Sequence, residues 1–202
     1  MCGGPCNNKP LRELYNEPLV ARTIRLLRAN GITDIAISSH NEQYNQFGVP
    51  VLKHDNPDKG SGIRWLKCFF PVTDPVCYLY GDVFYSPDAI RIITETSTDD
   101  IEFFASAPPF DIRYTKQWAE PFAFKVQNVE RFFDCVKQTI KLGQQGCFYR
   151  QPISWELWQV VKNTRPLGRI DYTNYTVIND YTVDIDAESQ ACWITDRGIG
   201  KP

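Results

Sequence analysis

Between Pro18 and Asn30 the apolar side chains Leu19, Val20, Ile24 and Leu27 recur at helical spacing, with Arg22, Arg25 and Arg28 on the outside, which predicts an amphipathic helix closed by Gly31. Ile32–Ser38 then reads as a strand and 49–52 as a second, shorter one. A small-residue turn at Lys59-Gly60-Ser61-Gly62 leads into a predicted helix through Trp65, Leu66 and Phe69. The run Val76-Cys77-Tyr78-Leu79-Tyr80, set off by Pro75, predicts an inner strand that ends at Gly81-Asp82. Ser86-Pro87 supplies an N-cap and a first-turn proline for a helix to about Thr96, and a strand follows at 101–105.

Past the break at Pro108-Pro109, the aromatic and charged stretch 110–118 suits a loop or lid, and Phe122–Val126 a strand. Asn128 caps a helix bearing Val129, Phe132, Phe133, Val136 and Ile140, which Gly143 is expected to end. A shorter helix over 151–162 turns Trp155, Leu157, Trp158 and Val161 inward, 175–178 makes a late strand, and a last short helix lies near Cys192 and Trp193. Helix and strand thus alternate, which predicts an α/β fold with a mostly parallel sheet flanked by helices. One domain is expected over residues 1–195, with 196–202 as a loose tail.

Composition narrows the function classes. Hydrophobic content of 43% and charged content of 23% are ordinary for a globular domain. A net charge of -2 without a polybasic run argues against nucleic acid as a partner. Seven cysteines, an odd number scattered through predicted elements, do not form a secreted disulfide framework, so a cytoplasmic location is expected. Cys2 and Cys6 lack a second pair, and His40 and His54 lack ligand spacing; buried or loop thiols are the simpler reading. No segment is long and apolar enough to imply a membrane partner.

Four places carry candidate chemistry. Asp82 stands just past the carboxyl end of a predicted inner strand, where open α/β sheets collect ligands, although a plain turn aspartate fits as well. Gly3 and Gly4, with Lys9 close behind, are either a phosphate cradle or a chain start without a role. Gly60 and Ser61 either face a nucleobase or ribose, or merely start a helix. In Asp184-Ile185-Asp186 an extended backbone points both carboxylates the same way; with Asp82 they would make an oxygen-rich site for Mg2+, and alone they read as a solvated acidic pair. Tyr114 and Trp118 are candidate pocket walls, whereas Trp155 and Trp158 at helical spacing read as core.

In this order the pieces resemble the sugar-nucleotide and phosphocholine-type nucleotidyltransferases. Lys9-Pro10-Leu11-Arg12-Glu13-Leu14-Tyr15-Asn16-Glu17-Pro18-Leu19-Val20 is similar to their lysine motif and Pro-Leu helix start, and Gly31–Ile35 to their helix-to-strand junction. The resemblance implies a Rossmann-like fold of the nucleotide-diphospho-sugar transferase type. It also implies that Gly3 and Gly4 cradle nucleotide phosphates, Lys9 meets the transferred or leaving phosphate, and Gly60 and Ser61 recognise the base. By the same resemblance Asp82 and Asp186 hold Mg2+ with help from Asp184, while Glu120 and Lys125 contact the acceptor. Two departures are expected to matter: the loop after Gly4 lacks the family's arginine, and only Met1 and Cys2 precede Gly3, so the N-terminal strand is shortened.

The reaction so implied moves a nucleoside monophosphate from an NTP to a phosphorylated small molecule, such as a sugar phosphate or phosphocholine, with release of pyrophosphate. A nucleotide-sugar glycosyltransferase using Asp184-Ile185-Asp186 as its metal motif is the alternative within the fold class. A nucleotide-binding module without turnover is the alternative outside enzymes.

Overall fold

The computed structural model describes residues 9–54, 63–107, 119–164 and 170–201, with Arg64 described by its backbone alone. It is a mixed α/β structure. A 3-10 turn over Lys9–Leu11 enters a hairpin of β1 (Glu13–Leu14) and β2 (Glu17–Pro18), followed by α1 (Leu19–Ala29). β3 (Ile37–Ser38), a 3-10 helix over Glu42–Phe47 and β4 (Val51–Leu52) come next, then α2 (Ile63–Leu66), β5 (Val76–Leu79), β6 (Val83–Phe84) and α3 (Pro87–Glu95). β7 (Ile101–Ser106), β8 (Pro121–Val126), α4 (Val129–Gln144) and α5 (Ser154–Val161) precede β9 (Thr176–Ile178), β10 (Val183–Asp184) and α6 (Glu188–Asp196).

The main sheet has the order β5-β8-β7-β9. β8 is antiparallel to both β5 and β7, and β7 is parallel to β9, so β5, β7 and β9 run one way and β8 alone is reversed. The expectation of a mostly parallel sheet is not met in this sheet, where only β7 and β9 pair in parallel, although three of its four strands run alike. The β5-α3-β7 crossover preserves direction, and β8 then inserts between the two strands it joins. β3 and β4 form a separate parallel pair that no ladder among the described residues joins to the main sheet. Of the expected strand over Ile32–Ser38, only Ile37 and Ser38 pair.

Side chains alternate across the sheet as its pleat requires. Phe103, Phe124 and Val126 face α4 and α5, while Phe104 and Ala123 face α1 and α3. On the first face Phe103 stacks on Phe124 at 4.5 Å and meets Trp155 edge-on at 4.9 Å. Trp155 and Trp158 are buried there, and the Trp155 indole N–H donates to the Ala119 carbonyl at 2.7 Å, so both are core as their spacing predicts. Ser86 and Asn128 cap α3 and α4, their side chains accepting the N–H groups of Ala89 and Arg131. Gly143 does not end α4. Its bare Cα faces Pro152, whose Cγ would lie 2.7 Å from an added Cβ, and the left-handed residue that follows the helix is Gly146.

Two further expectations are corrected. Residues 197–201 are not loose: Ile199 packs with Phe84 and Leu14, and Gly200 lies so close to Tyr181 that a Cβ would stand 2.9 Å from its ring. Lys125 does not face an acceptor site. It sits between Cys77 and Glu102 in register, and its ammonium donates to the carbonyls of Ile93, Thr94 and Thr96 at 3.3, 2.8 and 2.6 Å. A cation there satisfies the orphan carbonyls at the end of α3 and complements its dipole.

The five described cysteines, Cys68, Cys77, Cys135, Cys147 and Cys192, are free thiols. No helix among the described residues is long and apolar enough to cross a membrane. Replacing Lys125 with Met keeps its stem and removes three charge-assisted hydrogen bonds, so Lys125→Met should cost about 2 kcal/mol of stability, read from urea midpoints, and leave ligand binding unchanged.

Candidate active site

β5 ends at Leu79, and the chain turns at Tyr80-Gly81-Asp82 before pairing again as β6. The Tyr85 hydroxyl holds this turn, donating to the Phe122 carbonyl at 2.6 Å and accepting the Tyr80 N–H at 3.0 Å. β6 pairs antiparallel with β10, setting Val83 opposite Asp184, and the Ile185 N–H donates to the Asp82 carbonyl at 3.0 Å. Ile185 is fully buried against Phe84 and Leu14. Its neighbours Asp184 and Asp186 are thereby directed to the other side, toward Asp82, as alternation predicts.

The lysine motif closes over this pair. Pro10 lies against Gly81, where an added Cβ would stand 3.2 Å from the proline ring, so a larger residue there would have to push the Lys9–Leu11 turn outward by a few tenths of an ångström. Lys9 hydrogen-bonds Asp186 through its ammonium, which also stands 3.7 Å from Asp82. The Lys9 and Asp82 side chains are about a third exposed, at 29% and 31%, so the pair is open to a ligand on one side.

Electrostatics mark this as a place short of positive charge. Burial pushes the Asp184 carboxyl up to about 8, and the charges of Asp82 and Asp186 add to the effect. Burial raises Asp82 as well, against the pull of Lys9. For Lys9, burial acts downward, but the hydrogen bond to Asp186 and the charges of Asp184, Asp186 and Asp82 outweigh it and leave the amine raised. One oxygen of Asp184, Oδ1, is buried without a hydrogen-bond partner. An orphan carboxylate oxygen beside two further carboxylates fits a hard divalent cation. Among the described residues no three His, Cys, Asp or Glu side chains are gathered closely enough to cage an ion, so a cation held here would need waters or phosphate oxygens to complete its shell.

Glu120 is at this site in another capacity than acceptor contact. It is buried, and its carboxylate accepts the backbone N–H of Asp184 at 3.1 Å, fixing the strand that carries the acidic pair. Sequence reading missed two anchors of the lysine motif. The Arg12 guanidinium reaches the Ile185 carbonyl at 3.4 Å and Glu188 at 3.9 Å. Tyr15 occupies the left-handed region at φ 55°, costly for a bulky residue, and its hydroxyl donates to the carbonyls of Ile194 and Ile199 at 2.9 and 3.0 Å. Tyr15-Asn16, both with positive φ between paired Leu14 and Glu17, follows the two-residue hairpin rule without its usual glycine.

Gly3, Gly4, Gly60 and Ser61, expected to hold the nucleotide, lie outside the described residues, as do Cys2, Cys6, Tyr114 and Trp118. A family model described as the MobA-like NTP transferase domain matches residues 2–145, the greater part of the chain. The matched span contains Lys9, Asp82 and Glu120; Asp184 and Asp186 lie beyond it. A search of curated proteins finds no match.

The raised Asp184 sets the sign of a pH effect. Unfolded, this carboxyl loses its proton near pH 4; folded, it holds it to about pH 8. Between those limits the folded chain binds more protons, so its stability falls as pH rises through that window. Asp184→Asn should flatten the fall, as urea melts in EDTA across the window would record.

Proposed function

Because the chain belongs to the MobA-like NTP transferase family, a family of nucleotidyltransferases with NTP as substrate, we propose that it transfers a nucleoside monophosphate to a phosphorylated small molecule and releases pyrophosphate. The observation that carries this reading is the meeting of Lys9 with Asp82 and Asp186, a cation and two carboxylates from distant parts of the chain, past the end of β5. The Rossmann-like character of the sheet belongs to the same proposal. Three strands that run alike, with Asp82 beyond the carboxyl end of one of them, support it.

A phosphate oxygen of the acceptor attacks the α-phosphorus and forms the new P–O bond. The bond from that phosphorus to the oxygen bridging toward the β-phosphate breaks, and its electron pair leaves with pyrophosphate. The attacking oxygen is already anionic at neutral pH, so no general base is needed, and the protein's task is positioning and charge neutralisation. Lys9 meets negative charge growing on the departing pyrophosphate with a donor that is protonated throughout the physiological range. Gly3 and Gly4 amides would share that load, and Gly60 and Ser61 would read the base.

Asp82 and Asp186, assisted by Asp184, would hold Mg2+, which supplies neutralisation of phosphate charge when bound. Glu120 acts behind them as a positioning residue, through the backbone of Asp184. Lys125 plays no part in the reaction.

A panel of NTPs with Mg2+, each offered sugar phosphates and phosphocholine, tests the reading by pyrophosphate release. The native chain should turn over one nucleotide with one acceptor class. Asp82→Asn should slow release by at least about 100-fold with an unchanged circular dichroism spectrum. Equal turnover in the variant, or no release from any combination, overturns the proposal.

A further inference from the structure

The position between Asp82 and Asp186 is taken by the Lys9 ammonium itself, hydrogen-bonded to one and 3.7 Å from the other. A divalent ion in contact with the same two carboxylates would repel that ammonium twice as strongly as a second ammonium would. The two cations thus compete for one set of oxygens. On the C-terminal side of Lys9 the chain is held by Pro10 against Gly81 and by Arg12 on the Ile185 carbonyl. The flexible four-carbon stem of the lysine can carry its charge elsewhere from this anchored turn.

We propose that Lys9 and a divalent cation hold the Asp82–Asp186 position in turn: the ammonium bridges the carboxylates until the cation displaces it, and the released side chain swings on its fixed turn toward the phosphates. This rests on the reading of Asp82 and Asp186 as cation ligands, and not on the identity of the transfer reaction. Lys9 then does two opposed things. It holds like charges together when no divalent ion is bound, and it weakens the binding of that ion by having to be expelled. A purely structural ion pair would do the first without the second, and a residue serving only as a phosphate contact would do neither.

The test uses the full chain without nucleotide, comparing the native protein with Lys9→Met and Lys9→Arg. Mn2+ affinity is read by electron paramagnetic resonance titration, and melting temperature in EDTA or MgCl2. Lys9→Met should melt lower than the native chain in EDTA, gain more on MgCl2, and bind Mn2+ about tenfold tighter. Lys9→Arg should keep the weaker affinity. In the native chain, acetylation of Lys9 by acetic anhydride, quantified by mass spectrometry, should rise on saturation with MnCl2, a readout that stands even if Lys9→Met fails to fold.

Mn2+ affinity in Lys9→Met equal to or below the native value, or Lys9 acetylation that stays level or falls with MnCl2, overturns the exchange. If either result accompanies Asp82-dependent pyrophosphate release, the transfer reaction stands and only the exchange is lost. If neither protein binds Mn2+, the assignment of Asp82 and Asp186 as cation ligands falls with it.

Discussion

The site depends on one short pairing, β6 with β10. Two register pairs, Val183 with Phe84 and Asp184 with Val83, extended by the Ile185 N–H on the Asp82 carbonyl, bring residues a hundred positions apart side by side. Because a strand's side chains alternate, a slip of one residue would turn Asp184 and Asp186 into the apolar cluster around Phe84 and send Ile185 into solvent. Burial of Ile185 therefore fixes the register, and the register fixes the carboxylates. Glu120 adds a second constraint from β8's side of the fold, holding the Asp184 N–H so that the short strand cannot fray where the acidic pair begins.

What this pairing assembles is costly. Asp82 and Asp184 are drawn together partly out of water, and both resist ionisation in consequence. Such an arrangement persists only where surrounding contacts over-determine it, and the lysine motif is the most specific of these. It packs Pro10 closely against Gly81 and holds Tyr15 in an unfavourable backbone conformation under two hydrogen bonds. The local cost and the global contacts thus converge on the same few residues.

Legibility followed locality. The strand before Asp82, the caps at Ser86 and Asn128, the core tryptophans and the alternation of Asp184 and Asp186 are readable because each is set by neighbours within a few positions; the inner place expected of that strand is not met, since β5 stands at an edge of the four-stranded sheet and is half-buried along its length. Lys125 was misread because a lysine on a strand declares its charge but not its partners, which are carbonyls about thirty positions earlier. The reversed β8 was hidden because strand direction depends on the length and course of a connection rather than on the strand's own residues. Gly143 illustrates another limit: it has the composition of a helix stop, yet it is the approach of Pro152 that requires it. Tyr15 left no signal at all, since a tyrosine in a turn would ordinarily argue against positive φ.

Lys9 and Asp186 meet across 177 positions, and the anchors of the lysine motif include carbonyls at Ile194 and Ile199. A chain growing on the ribosome exports its lysine long before the acidic pair, so the constellation has no existence in the nascent polypeptide until residues near 200 have emerged. Interrupted translation products would carry β6 without its partner and Phe84 without its cover. Their uncovered strand edge would make them clients for chaperones.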